Sequence, residues 1–399
     1  MAENKQNKRP NVPPLRFPEF TEPWEQHLTT DYFEFKNGLN PDVKRFGTGV
    51  KFISVMDILN NRYISYDRII SSVEPKGDDL KDFGVNYGDI LFQRSSETLE
   101  DVGRANVYLD KRTAIFGGFV IRGKKIGNYD PLFFRYLLTC PTVRKRIIVK
   151  GAGAQHFNIG QDGLSKVHLS VPSEKEQKRI SDLLNLIDER IETQSKLIED
   201  LQQLKSALVE RLYCQHNPNF KIGDLVVQVS KRNRGNNDYS VLSVNNRLGF
   251  IEQSEQFEDR SVASEDTSNY KVVSRDDFAY NPARINVGSI ARLTSFESGI
   301  VSPMYICFHT KKQILPQYLE HFFDTRYFYY EMQKRLEGSV RLCLSWEGLC
   351  NIPIAAPPIE QQEKVSKRIS RLADKISLEE LHLDLLKSQK RYLLQTMFI

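Results

Sequence analysis

The sequence predicts an α+β chain made of two pseudo-symmetric globular domains separated by two long antiparallel helices, which form a coiled-coil rod. Three observations predict it. The stretch VPSEKEQKRISDLLNLIDERI, starting at Val171, is nearly rewritten near the end of the chain as APPIEQQEKVSKRISRLADKI. A shift of 185 positions carries Pro172 onto Pro357, Gln177 onto Gln362 and Gly163-Leu164 onto Gly348-Leu349. Upstream the shift grows to 188 or 189, carrying Asp89-Ile90-Leu91-Phe92 onto Asp277-Phe278-Ala279-Tyr280 and Ser54-Val55 onto Ser243-Val244. A period this long is not that of a solenoid. It is a duplicated two-part module, a globular domain followed by a helix.

Taken in order, residues 1–16 are polar and read as a disordered lead. Residues 17–172 form the first globular domain. Its strands are signalled by β-branched runs such as GVKFISVMDI, by GDILFQR and by IFGGFVIRG. DPLFFRYLLTC reads as a compact amphipathic helix opened by proline. Residues 173–215 form the first long helix, and Ser173 before Glu174 and Glu176 is an N-cap followed by first-turn acids. Residues 216–357 repeat the globular pattern with DYSVLSVNNRLGFI, DDFAYNP, GIVSPMYICF and the helix LPQYLEHFFDT. Residues 358–399 form the second long helix.

The two helices share a seam. Ile180, Leu184, Ile187, Ile191, Ile198, Leu201, Leu208 and Leu212 recur at alternating steps of three and four, with polar breaks at Gln194 and Lys205. The second helix places Val365, Ile369, Leu372, Ile376, Leu383, Leu386, Leu393 and Met397 at the matching positions, broken by Glu379 and Lys390. At 1.5 Å per residue each helix spans roughly 60 Å. Antiparallel pairing about a two-fold axis buries both stripes and sets the globular domains at opposite ends of a rod. Matching polar breaks fix the register of such a seam.

Composition narrows the function. The chain has 399 residues, 40% of them apolar and 27% charged, as in an ordinary soluble globular protein. No apolar run reaches the roughly 18 residues of a membrane span, and the polar N-terminus is no secretory signal. Five scattered cysteines (Cys140, Cys214, Cys307, Cys343, Cys350), with no CxxC, fit a reducing cytoplasm rather than a disulfide frame or a zinc site. The net charge of +5 points only weakly to nucleic acid. It sits in residues 1–173, with 25 basic and 20 acidic residues, whereas residues 216–357 carry 16 of each.

Catalytic motifs fail on inspection. GFVIRGKK at Gly118 lacks the Ser/Thr and the following helix of a phosphate loop. FGTGV and KGAGAQ lie in no strand-loop-helix unit, and NPAR at Asn281 lacks the second proline and the stacking aromatic of an amino-methyltransferase loop. No HExxH, GxSxG or nuclease-like acid cluster appears, so no catalytic residue and no metal site is expected. Two pairs of repeat-matched loops suit DNA better. QRSSETLEDVGRA offers Gln93, Arg94, Ser95 and Arg104, and its mate NPARINVGSIA offers Asn281, Arg284 and Asn286. Arginine forks to guanine and Asn or Gln pairs with adenine in the major groove. VKGAGAQHFNIGQDGL offers Lys150, Gln155 and His156, and its mate LEGSVRLCLSWEGL offers Ser339 and Arg341, each beside a glycine bend open to phosphate. The same loops also suit ordinary polar hairpins and a turn feeding the helix. The helices repeat closely while the loops match in place and differ in residue, as in one frame holding two different readers.

GDILFQRSSET, AQHFNIGQDGLSKVHLSVPSEKEQKRI, YNPARINVGSIA and PPIEQQEKV together resemble the specificity subunit of type I restriction-modification enzymes, over roughly Phe17 to Phe398. That resemblance implies two target-recognition domains, each reading one half of a bipartite asymmetric site in double-stranded DNA, and a helical rod that sets the spacer. It implies two modification (methyltransferase) subunits docked on the rod, and restriction (endonuclease/translocase) subunits joining them. It implies a chain that binds no cofactor itself, with S-adenosylmethionine, ATP and Mg used by the partner subunits. It also implies a bacterial or archaeal cytoplasmic location. The electroneutral second domain departs from a strong DNA binder. Two rival readings are a coiled-coil adaptor that touches no DNA, and a DNA methyltransferase or nuclease with an unfamiliar site.

Overall fold

The computed structural model describes residues 11–153, 156–213, 215–234, 239–246, 248–253, 266–338 and 341–399. By internal packing the chain divides into two units. The first joins Met1–Ser195 to His382–Ile399, and the second is Lys196–Leu381. Each unit contains one globular head and a stretch of each long helix.

The first head is built on an antiparallel sheet in the order Phe33–Asn37, Val120–Lys125, Ile90–Gln93, Ala105–Val107. Alternation along a strand sends Ile90 and Phe92 into the core facing the helices and Leu91 into a second core behind the sheet. Both faces are covered, which is why Ile90-Leu91-Phe92 is continuously apolar. A second sheet runs Ser72–Val73, Phe46–Ile53, Ala114–Phe116, Gly84–Val85, with its middle pair parallel. The second head repeats both. Its antiparallel sheet runs Val226–Val229, Ile306–Thr310, Phe278–Tyr280, Ile290–Arg292. Its mixed sheet runs Gly249–Glu252, Val241–Asn245, Ser298–Val301, Lys271–Ser274, again with the middle pair parallel. Phe278 and Tyr280 face one core and Ala279 the other.

Two short helices follow in the first head, α1 (Pro131–Thr139) and α2 (Pro141–Ile148), before the long α3 (Glu174–Tyr213). The second head has α4 (Pro316–Phe323) and α5 (Arg326–Gln333), followed by the long α6 (Ile359–Thr396). Among the described residues no helix is long and apolar enough to cross a membrane. The run GVKFISVMDI is not all strand: Val55–Asn60 is helical. Asp57 Oδ2 accepts from the Ser54 N–H and hydroxyl, both at 2.7 Å, and this cap outweighs the β-branched composition. At the matching place the second head carries Asn246, and Val241–Asn245 stays extended.

Each long helix is tied to its head by one buried glutamine. Gln177 Nε2 donates to Pro172 O (2.9 Å) and its Oε1 accepts from the Asp130 N–H (3.0 Å). Gln362 Nε2 donates to Pro357 O (2.7 Å) and Gln313 O (2.9 Å), and its Oε1 accepts from the Leu315 N–H (2.8 Å). One side chain thus links the loop before the helix, the helix start and the loop opening α1 or α4.

All sixteen apolar seam positions, Ile180 through Leu212 and Val365 through Met397, are buried or half-buried. In the first unit Ile180, Leu184 and Ile187 share one core with Leu393, Met397 and Phe398, and with Phe133, Phe134 and Leu137 of α1. In the second, Val209, Leu212 and Tyr213 share a core with Ile369, and with Tyr318, Leu319 and Phe322 of α4. Within each unit the two stretches run antiparallel. The polar breaks at the lysines are occupied. Lys390 Nζ lies 2.5 Å from Asp188, a buried carboxylate that also accepts from the Tyr136 hydroxyl at 2.8 Å. Lys205 reaches Asp324 at the end of α4 (3.6 Å).

The expectation of a disordered lead over 1–16 is corrected for residues 11–16. Pro13 is buried and the Leu15 N–H donates to Thr396 O (2.9 Å). Arg16 forks onto Glu176 with both bonds at 2.7 Å, and Trp24 Nε1 donates to the same carboxylate at 3.2 Å. A buried carboxylate 160 positions away recruits this segment, and local composition cannot show it.

Gln177→Leu and Gln362→Leu should each lower stability by about 2–3 kcal/mol, because each strands buried backbone groups. The exposed Gln361→Leu should stay within about 0.5 kcal/mol. Urea unfolding of the full chain measures both. His321, on α4, is buried, and its Nε2 has no hydrogen-bond partner among the described residues. Burial, then Lys205 and Arg292, push its pKa down from 6.5 to about 4. Between these values the unfolded chain takes up a proton that the folded chain refuses. Stability should therefore fall as pH drops through that window, by up to about 3 kcal/mol. A His321→Leu chain should lose less stability between pH 7 and pH 4.5 than the parent in parallel urea titrations.

Candidate nucleic-acid interface

In each head the central strand of the antiparallel sheet ends in a loop, and a second loop from just before the long helix docks on it. In the first head the Gln93 N–H donates to Arg104 O (2.8 Å) and the Gly103 N–H to Gln93 O (2.9 Å), closing the first loop. The second loop is a hairpin in which Ala152 and Asn158 exchange both backbone bonds, at 3.0 and 2.9 Å. It turns at Gly153, where φ is +144° and any Cβ would meet His156 O. Phe157–Asn158 pairs with Ser95–Ser96, and the Ile159 N–H donates to Arg94 O (2.9 Å).

The second head builds the same frame from other residues. The Asn281 N–H donates to Ser289 O (3.1 Å), closing the loop through a 3-10 turn at Ile285–Val287. Leu336–Glu337 pairs with Cys343–Leu344 around Gly338, at φ +117°. The Leu344 N–H donates to Pro282 O (3.0 Å). Below each loop lies a matched buried carboxylate. Asp89 accepts from Asn86 N–H (3.0 Å) and Lys125 N–H (2.8 Å), and Asp277 from Ser274 N–H (2.8 Å). Burial raises the pKa of both.

On these frames the expected residues fall into three groups. Arg104, Lys150 and His156 in the first head, and Arg284 and Arg341 in the second, are exposed. Arg104 is held by Asp101 at 2.5 Å. The guanidinium groups of Arg284 and Arg341 have no hydrogen bond or ion pair among the described residues. Arg94, Ser95, Asn281 and Asn286 are half-buried. Arg94 Nη1 donates to Gly118 O (3.3 Å), the Ser95 hydroxyl bonds the Asn158 side chain, and Asn281 Oδ1 accepts from the Ala283 N–H (3.0 Å). Gln93 is a correction. It is 5% exposed and its Nε2 donates to Ser95 O (2.9 Å), so it braces the loop instead of facing a ligand. Gln155 and Ser339 lie outside the described residues.

The second head brings three of these side chains together. Asn281, Arg284 and Arg341 line an open cleft of about 710 Å³ with Ser243, Tyr305 and Met304. The tyrosine and the methionine come from the turn at 302–305 between the strands Ser298–Val301 and Ile306–Thr310, and no spacing in the sequence points to them. Also missed was the basic turn of α2, where Arg144 Nη2 donates to Glu100 O and Val102 O, each at 2.8 Å, beside the first loop. Burial draws the Arg144 guanidinium down to about 10. Its signal was the run VRKR. Among the described residues no three His, Cys, Asp or Glu side chains are grouped to hold a metal ion. The two surfaces present hydrogen-bond donors on loops braced by backbone bonds, chemistry that suits base edges and phosphate oxygens.

Residues 21–203 match the family described as the type I restriction modification DNA specificity domain. The chain is 23% identical to the putative type I restriction enzyme MjaX specificity subunit of Methanocaldococcus jannaschii, over 96% of this chain and 95% of that protein. It is 25% identical to the type I restriction enzyme HindI specificity subunit of Haemophilus influenzae, over 42% of this chain and 36% of that protein. In fold it is similar to the type I restriction-modification S subunit from M. genitalium, with a TM-score of 0.58 and 15% identity, covering 97% of this chain and 99% of that one.

Proposed function

We propose that this chain is the DNA-recognition subunit of a type I restriction-modification system, because residues 21–203 match the type I restriction modification DNA specificity domain. One observation carries the reading beyond the matched region. The same loop-on-loop frame is built twice: the bonds Gln93 N–H to Arg104 O and Ile159 N–H to Arg94 O recur as Asn281 N–H to Ser289 O and Leu344 N–H to Pro282 O, with different side chains on top. Each head then reads one half of a bipartite duplex site. The first uses Arg104 and His156, with Lys150 toward the phosphate backbone, and the second uses Asn281, Arg284 and Arg341. Arg284 and Arg341 suit guanine O6 and N7, and Asn281 suits adenine.

The chain is non-catalytic in this reading. Modification subunits, two per chain, dock on α3 and α6 and bring S-adenosylmethionine, and restriction subunits bring the ATP- and Mg-dependent chemistry. The assembly works in the cytoplasm of a bacterium or archaeon. The length of the paired helices sets how many unread base pairs separate the half-sites. Rigid helices suit this role, because each residue inserted shifts the following chain by a fixed 1.5 Å.

The test is a genome-wide map of methylated adenines in cells with and without this chain. A bipartite motif should appear only with it. Exchanging the two heads should exchange the halves of the motif, and an unchanged map would exclude the assignment. Arg284→Ala should relax or weaken one half-site by about 1–3 kcal/mol and leave the other intact. Equal loss at both halves would count against one head per half. Inserting one helical turn into both α3 and α6 should change the spacer or abolish methylation, and altered base identity would exclude the spacer role.

A further inference from the structure

The short helix beside the reading loop is chemically inverted between the heads. In the first head α2 packs against the loop through Arg144, which donates to Glu100 O and Val102 O. The turn around it carries Arg144, Lys145, Arg146 and Lys150. Lys145 and Lys150 are exposed, and none of the four forms an ion pair among the described residues. Arg146 Nη1 donates to His168 O (3.0 Å), so both arginines spend donors on uncharged carbonyls and keep their charge uncancelled.

In the second head α5 packs against the turn Ile285–Val287 of its own loop. The shift of 185 replaces Arg144, Lys145 and Arg146 by Tyr329, Tyr330 and Glu331. Both tyrosines are more than half exposed. Glu331 cancels the cations that follow, with Lys334 at 2.7 Å and Arg335 at 2.6 Å. Lys334 also sits 3.8 Å over the Tyr330 ring. Arg326, at the first turn, is the remaining cation of this helix.

Resting on the DNA-recognition assignment above, we propose that this helix is the phosphate-contacting element of each head, working through uncancelled charge in the first and through tyrosine hydroxyls in the second. A lysine at a phosphate releases condensed counterions, and a hydroxyl at a phosphate does not. The first head therefore supplies the larger share of the salt-dependent affinity. The second grips the backbone with bonds that salt barely weakens. This accounts for an electroneutral second head in a DNA-reading chain without requiring a basic surface there.

Backbone contacts are independent of sequence, so a mixed-sequence duplex of about 30 base pairs serves as the probe. Binding is followed by fluorescence anisotropy from about 50 to 250 mM KCl, with the full chain alone and assembled with its modification subunits. The Lys145→Ala/Lys150→Ala chain should lose about 2 from the slope of log K against log salt, close to one per phosphate released. The Lys145→Arg/Lys150→Arg chain should keep the parent slope. The Tyr329→Phe/Tyr330→Phe chain should bind roughly threefold to tenfold more weakly with the slope unchanged. An unchanged slope in the alanine chain, or a reduced slope in the phenylalanine chain, overturns the proposal while leaving DNA recognition standing. No duplex binding by the parent in either form overturns DNA recognition itself.

Discussion

The structure depends on one side-chain amide used twice. Gln177 and Gln362 each bond a carbonyl before a long helix and an N–H at the start of a short one. A glutamine can do this because it donates and accepts from the same planar group. Both are fully enclosed, so their bonds face no competition from water. A directional polar joint thus holds the start of each long helix against its head, beside the apolar contacts that Ile180 and Ile369 make with the head cores.

Apolar packing then takes over along the helices. The stripe of each helix serves two partners in turn. Near the head it packs against the aromatic face of α1 or α4, and in the same unit it meets the other long helix. This explains why a seam readable as a simple heptad includes charged residues. Lys390 answers Asp188, whose second partner is the Tyr136 hydroxyl on α1. Arg135 Nη1, 3.5 Å away, is a third partner, and a buried carboxylate held in this way adds geometric specificity at modest net stability. The polar breaks therefore bind helix to head as well as setting the alignment of the two helices.

Much of this was legible in the chain. Periodicity and internal duplication need only local comparison, and they located the α+β class, the long helices and the paired loops. What escaped depends on contacts between distant positions. Gln93 has the chemistry of a base reader, yet the hairpin at Ser95–Ser96 closes over it and turns its amide inward. Arg16 lies in a stretch whose composition reads as disordered, yet Glu176 holds it. The run VMDI has a strand's residues and a helix's cap. The cleft under Arg284 and Arg341 gathers side chains from separated strands and loops, and no window of sequence contains it.

The carboxylate of Glu176 makes the duplication directional. In the first copy it is sealed by Arg16 and Trp24, which precede the head's first strand, while the second copy carries an exposed Gln361 at that place and needs no such cover. A head transplanted from the second position to the first without the leading segment would leave this buried carboxylate without its partners. A head exchanged between the two positions therefore keeps this carboxylate paired when the junction falls downstream of Trp24, so that the leading segment stays with the helix it seals.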